Sequence, residues 1–334
     1  MNLLLTMILA GVYSAPGWVK VDVSGNRNIS DAEKHRSVLL KECSFWLRPD
    51  RSAILVDATV GYGGHADFLL QQMGSDGVLV GIDQDDEALA YARSRLGRFG
   101  QRVVLLKGNF ADVNRLLHSV NISSVDGILL DLGVSSPQLD DSRRGFSFQT
   151  DGPLDMRMDQ TSGRSAADLV NQMPESELAD TIFHYGEERF SRRIARAIVR
   201  ARSVKPLGTT GELVAVIRGA VPAGYRHGRI HFATRTFQAL RIAVNRELEV
   251  LEPALRAGVG MLRSGGRIAV ISFHSLEDRI VKQTFRALSG AEEPQVSVLT
   301  KKPQLPTDAE CEANPRARSA KLRVAERLPQ ECVL

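Results

Sequence analysis

Three glycines in four positions, Gly61, Gly63 and Gly64, close the stretch Ile54-Leu-Val-Asp-Ala-Thr-Val-Gly-Tyr-Gly-Gly-His65. A short apolar run precedes them and a helix-like segment, 66–73, follows at once. Glycine lets a backbone turn sharply and approach a ligand, and a helix N-terminus offers unpaired N–H groups. Asp83 ends a second apolar run, Val78-Leu-Val-Gly-Ile-Asp83. A carboxylate there is placed to accept hydrogen bonds from ribose hydroxyls. Together these residues point to a nucleoside-containing cofactor at the C-terminal edge of a parallel sheet.

A dinucleotide calls for G-x-G-x-x-G, with the pyrophosphate on the helix N-terminus. Here the glycines run G-Y-G-G-H, without a third at the right offset. Asp57 lies in the turn, where it would repel a pyrophosphate but suit a cation. S-adenosylmethionine carries a sulfonium, an amino group and a ribose but no phosphate, so it fits better. A dinucleotide site and an ordinary ligand-free βα turn are the alternatives this stretch leaves open.

A second acid, Asp131, ends the strongest apolar run, 125–131, and leads into Leu132-Gly-Val-Ser-Ser-Pro-Gln-Leu139. An acid followed by a small-residue, proline-containing loop marks the topological switch point, where open α/β sheets bind ligands. Phe110 follows a strand expected at 103–107 and suits either the core or stacking on an adenine.

The remaining elements follow from periodicity. A helix at 85–96 has Ala88, Leu89, Ala92 and Leu96 on one face. The segment 142–159 reads as an ordered loop, and 165–186 as two short helices divided near Pro174. In 189–202, Arg189, Arg192, Arg193, Arg196 and Arg200 share one helical face, with Ile194, Ala197, Ile198 and Ala201 opposite. A one-sign stripe suits a phosphate backbone, although a solvated face is the commoner explanation of a charge run. Another helix, 209–220, is capped by Thr209 or Thr210. A long helical stretch, 234–262, is expected to break at Pro253. After a strand at 265–273, a helix is expected to start with Ser275 as N-cap and Asp278 at the capping-box position. Strands at 296–300 and 322–326 close the chain.

The expected fold class is therefore α/β, a Rossmann-like class I methyltransferase sheet of about seven strands with an inserted helical substrate-recognition domain. The cofactor-binding domain takes 34–140 and 241–334, and the insertion takes 141–240. Residues 1–33 read as a poorly ordered extension. Their apolar run, 3–12, has no Lys or Arg before it and is too short to span a bilayer.

With 334 residues and a net charge of +4, the chain permits a polyanionic partner without demanding one. Cys43, Cys311 and Cys332 form no C-x-x-C, which argues against a disulfide framework or zinc site and fits a reducing compartment. His227 and His231 lie four apart, but Gly228 intervenes and a third ligand is not evident, so no metal is expected.

Seven ordered stretches resemble the bacterial small-subunit ribosomal RNA cytosine-N4 methyltransferase family, the RsmH (MraW) type. They are His35-Arg-Ser-Val-Leu-Leu-Lys-Glu-Cys43, Asp57-Ala-Thr-Val-Gly-Tyr-Gly-Gly-His65, Asp131-Leu-Gly-Val-Ser-Ser-Pro-Gln-Leu-Asp140, Arg144-Gly-Phe-Ser-Phe148, Gly152-Pro-Leu-Asp-Met-Arg-Met158, Thr234-Arg-Thr-Phe-Gln-Ala-Leu-Arg-Ile-Ala-Val-Asn245 and Ser272-Phe-His-Ser-Leu-Glu-Asp-Arg279. The resemblance covers 35 to about 328 and implies a cytoplasmic enzyme that methylates N4 of a cytidine in the decoding region of the small subunit. It implies that Gly63, Gly64 and His65 contact the methionine part of S-adenosylmethionine, Asp83 the ribose and Phe110 the adenine. Asp131 and Gln138 would close the site near the transferred methyl. One departure is His231-Phe-Ala-Thr-Arg235, where the family reads His-Pro-Ala-Thr-Arg. The other is the extension before His35.

The cytosine amino lone pair is delocalised into the ring, so methylation needs in-line approach and acceptors for the amino protons. Positioning of that kind is worth about 7–11 kcal/mol. Asp131 and the loop carbonyls around Ser135, Ser136 and Pro137 are the candidate acceptors. The loop resembles the Ser/Asp-Pro-Pro-aromatic loop of other amino methyltransferases, with Gln138 in place of the aromatic. Methylation at C5 would need a cysteine nucleophile, usually beside proline, and the chain has no Pro-Cys pair. An amino methyltransferase acting on DNA and a non-catalytic nucleic-acid-binding regulator remain as alternatives. No membrane partner is expected, and the oligomeric state is open.

Overall fold

A computed structural model of the chain describes residues 37–329. The expected extension at 1–33, together with His35 and Cys332, lies outside them. Seven strands form one sheet in the order β3-β2-β1-β4-β5-β7-β6. They are β1 (Ile54–Asp57), β2 (Val78–Asp83), β3 (Val103–Lys107), β4 (Val125–Asp131), β5 (Leu262–Ser272), β6 (Val296–Val298) and β7 (Lys321–Arg327). The first five run parallel, and β7 is antiparallel to both β5 and β6. Strand order reverses between β1 and β4, so Asp57, Asp83 and Asp131 all end strands at or beside the switch point.

Both faces of the sheet are covered, which is why these strands read as continuous apolar runs rather than alternating ones. Val56, Ile82, Ile128 and Val270 turn to one face, against α4 (Val113–Ser119), α11 (Glu247–Met261) and α12 (Ser275–Ser289). Leu55, Leu79, Leu129 and Ile271 turn to the other, against α1 (Leu40–Leu47), α2 (Gly64–Gln72) and α3 (Asp86–Leu96). The short helix α1 thus packs across the sheet, with Cys43 and Leu47 buried.

A separate buried cluster gathers residues between Phe146 and Leu240. It is built on α6 (Ala166–Gln172), α7 (Glu175–Gly186), α8 (Ser191–Arg202), α9 (Thr210–Ala220) and α10 (Thr234–Asn245). Thr209 is the N-cap of α9, with Glu212 completing a capping box. Phe232, at the position where the family reads proline, is buried in this cluster. The His231 ring stacks on Phe148 at 4.5 Å.

Two boundaries differ from the sequence expectation. The long helical stretch breaks at Arg246, in the left-handed region at φ 53°, and Pro253 lies inside α11. A left-handed residue cannot continue a helix, whereas a proline in an early turn forfeits one backbone bond. The N-cap of α12 is His274, not Ser275, and Glu277 takes the capping-box position. Asp278 instead pairs with Arg323 at 2.7 Å.

Candidate active site

A cavity of about 360 Å³ opens at the C-terminal ends of β1, β2 and β4. Its floor is the β1–α2 turn. Gly61, at φ 51°, donates its N–H to Asp83 Oδ2 at 2.8 Å. A Cβ on Gly64 would fall 2.1 Å from Ser37 Oγ, so the missing side chain lets Ser37 reach the turn. Gly63 adopts φ 76° as the N-cap of α2, but its Cα faces Leu96 and it does not line the cavity. Its left-handed backbone makes the turn, and its lack of a side chain lets α2 pack on α3.

The carboxylates define the electrostatics. Asp83 accepts from Gly61 and, through Oδ1, from the Asp85 N–H at 2.9 Å. Burial pushes its carboxyl up to about 6, against the pull of those backbone donors. Asp57 lies beneath the turn at 1% exposure, and burial pushes it up to about 7. Burial also raises Asp131 well above the usual carboxylate range, and Asp57 and Glu277 reinforce the shift. Asp131 is held by its own N–H, which donates to Thr59 Oγ1 at 2.6 Å. Its Oδ1 is buried without a hydrogen-bond partner among the described residues. A buried, unpartnered acceptor is costly and calls for a donor from outside the protein. His65 contacts the Val38 carbonyl through Nε2 at 2.9 Å, which places the ring hydrogen there and turns Nδ1 toward Asp131 Oδ2, 3.6 Å away. Clustered carboxylates disfavour a pyrophosphate and suit a sulfonium cation, so the residues present fit S-adenosylmethionine.

The loop after β4 forms α5 (Ser136–Asp140), capped by Ser135. Gln138 Oε1 accepts from the Ser135 N–H at 2.9 Å, and its Nε2 donates to Asp85 Oδ2 at 2.7 Å. Gln138 lines the cavity, but its amide shapes the loop and is already bonded at both ends. Ser135 and Ser136 line the cavity and Pro137 does not. Phe110 both lines the cavity and packs on the sheet core.

Several cavity residues had no role assigned from sequence: Met158, Arg241, Asn245, Glu247 and Glu277. All but Glu247 lie in the quoted family stretches, which was the available signal. Arg144, in the same set of stretches, bonds Asp85 Oδ2 at 2.7 Å and the Met158 carbonyl at 3.0 Å. It thereby ties the inserted segment to the β2–α3 turn.

The arginine stripe lies elsewhere. Arg192, Arg193, Arg196 and Arg200 are exposed on α8, while Ser191, Ile194, Ala195 and Ile198 are buried. Ala197 and Ala201 pack against the same core, and Ala195 is buried in it as well. Arg189 precedes the helix and stacks over Phe190 and Tyr225, 4.9 Å from each ring. Arg189, Arg192 and Arg193 border a second hollow beside Phe183, separate from the acidic cavity. Among the described residues, no group of three or more His, Cys, Asp and Glu side chains is placed to hold a metal ion. No helix among them is long and apolar enough to cross a membrane.

A parallel sheet of this order, with carboxylates at its switch point and an antiparallel closing strand, defines the Rossmann-like methyltransferase class. The chain belongs to the MraW methylase family, which it matches over residues 32–328. It is an S-adenosylmethionine-dependent methyltransferase. It is 52% identical over 308 residues to the ribosomal RNA small subunit methyltransferase H of Syntrophotalea carbinolica, covering 88% of this chain and 98% of that protein. The protein of the same name from Geotalea uraniireducens is 52% identical over 307 residues, with the same coverage. That from Pelobacter propionicus is 51% identical over 309 residues, covering 88% of this chain and 99% of its own.

Proposed function

We propose that this enzyme methylates the exocyclic N4 amine of a cytidine in the decoding region of small-subunit ribosomal RNA, in the cytoplasm. The names of its relatives support the RNA class, and the family resemblance supports the base and position. The observation that carries the chemistry is the buried, unpartnered Oδ1 of Asp131 at the switch point.

S-adenosylmethionine, when bound, supplies an electrophilic methyl on its sulfonium. Asp83 would hold the ribose, Phe110 would lie against the adenine, and the turn at Gly64 and His65 would take the methionine part. Asp131 Oδ1 accepts a hydrogen bond from the target amine and orients its lone pair. As the nitrogen gains the methyl it must lose a proton, and Asp131 is the base assigned to take it. Its raised proton affinity strengthens that base once ionised. Carbonyls of the loop around Ser135, Ser136 and Pro137 would take the second amino hydrogen. The arginines at 189, 192, 193, 196 and 200 supply a face for phosphates, which an RNA folded in an assembled subunit would present.

The test is methyl transfer from labelled S-adenosylmethionine to small ribosomal subunits lacking their native methylation, with nucleoside analysis. N4-methylated cytidine is the expected product. Label on another nucleoside, or label on DNA alone, would overturn the substrate assignment. Cofactor binding without any transfer would favour a non-catalytic binder.

A further inference from the structure

We propose that Arg241 reads the acceptor edge of the target base, beside Asp131, which takes its amino group. The inference rests on the amino-methyltransferase reading above and adds the residue that distinguishes cytosine from uracil. Arg241 stands on α10, where the helix leaves the inserted lobe. Phe237 and Leu240 are buried in that lobe's core, whereas Arg241 and Asn245 line the acidic cavity. Arg241 therefore projects from the substrate side of the molecule into the cofactor cavity.

Its guanidinium is locked. Nε and Nη2 donate to the two oxygens of Glu247, both at 2.8 Å. Among the described residues, no group accepts from Nη1. The loop facing it is bare: a Cβ on Gly133 would lie 3.9 Å from Nη2 and 4.0 Å from Nη1, so glycine leaves the fork open on that side. The helix end is also pinned. Asn245 Nδ2 donates to the Arg241 and Met156 carbonyls at 2.9 and 2.8 Å, and its Oδ1 accepts from the Met158 N–H at 2.8 Å. A rotamer-locked fork on the cavity wall with one donor edge unfilled can take a ligand acceptor without reorganising.

Cytosine presents an amino donor next to two acceptors, N3 and O2. Uracil presents an acceptor, O4, next to the N3–H donor. An orphaned carboxylate oxygen on β4 and a free guanidinium edge on α10 match the first pattern and oppose the second at both positions. The charge of Arg241 is held by Glu247, and its open edge is left for the base.

The experiment uses small subunits reconstituted with cytidine, 3-deazacytidine or 2-thiocytidine at the target position. Wild type, Arg241→Gln and Arg241→Lys are assayed on each, with cofactor affinity by calorimetry and folding by thermal melts. Arg241→Gln is expected to lose roughly ten- to a hundredfold in kcat/KM on cytidine, the scale of one hydrogen bond to a charged group. Cofactor affinity is expected to stay near wild type. One of the two analogues should slow the wild type by a similar factor and leave Arg241→Gln indifferent. If Arg241→Gln fails to fold, Arg241→Lys keeps the charge but loses the fork, and the analogue comparison on wild type needs no variant. The inference falls if neither analogue slows the wild type, or if an analogue slows all three enzymes equally. It also falls if cofactor affinity drops by the factor lost in kcat/KM, which would assign the guanidinium to the cofactor instead. A wild type that makes no N4-methylcytidine on native cytidine removes the underlying reading, and this inference with it.

Discussion

Arg144 Nη1 lies 2.7 Å from Asp85 Oδ2, with the two side chains only 4% and 6% exposed. The acid caps α3 in the cofactor-binding part, and the base comes from the inserted segment. The same oxygen of Asp85 accepts from Gln138, and Arg144 Nη2 donates to the carbonyls of Arg157 and Met158. One buried ion pair thus fixes the cofactor turn, the switch-point loop and the first stretch of the insertion against one another. Removing one partner strands the other charge. Arg144→Ala is expected to lower unfolding free energy by about 3–5 kcal/mol. Urea titration checks this, and a loss no larger than that of an average surface substitution would show that the pair is dispensable.

Asp131→Ala should reduce methyl transfer by about 10²–10⁴-fold, the range of general acid–base and amine-orienting groups. Cofactor affinity should change little if, as proposed, Asp83 holds the ribose and the turn residues hold the methionine part. Single-turnover kinetics with calorimetry separate the two. Near-normal turnover in this variant would remove Asp131 from both roles.

The carboxyls of Asp83 and Asp57, raised from 3.8 to about 6 and about 7, make the free protein pH-sensitive. Both bind protons more tightly folded than unfolded. Their contribution to stability is therefore full below 3.8 and is lost as pH rises through about 6 for Asp83 and about 7 for Asp57. The ionised forms attract a cation, so cofactor affinity should rise across the interval in which stability of the free protein falls. Thermal melts and calorimetry at a series of pH values test both slopes. Asp57→Asn should flatten the upper part of each, and an unaltered profile in that variant would refute the assignment.

If the α8 face follows the RNA backbone, replacing Arg192, Arg193, Arg196 and Arg200 by glutamine should weaken RNA binding and make it less salt-dependent. Each lost phosphate contact reduces the slope of log K against log salt by about 0.7–0.9. Arg196 already faces Glu175 at 3.6 Å and should contribute least. Cofactor affinity should be untouched. An unchanged slope in filter binding would return the stripe to an ordinary solvated face.

Local patterning determined much of this protein. The strands at 103–107 and 125–131 stand where the apolar runs place them; the second, mostly buried between the two layers, needs an almost unbroken run, and polar residues end both. The places of Asp83 and Asp131 at the cavity were legible because a strand terminus fixes where its last side chain emerges. The arginines of α8 were legible because a helical repeat fixes a face. Only the tertiary structure decided the partners. Asp85 and Arg144 are 59 positions apart, and Gln138 and Asp85 are 53 apart. Nothing in either neighbourhood says that they meet, because such pairing depends on how the insertion docks. The same holds for Arg241 and Glu277, which α10 at the end of the insertion and α12 after β5 carry to the cavity. The unpartnered oxygen of Asp131 is likewise a tertiary property: a sequence shows the acid, and only the packing around it shows which of its oxygens is left without a donor.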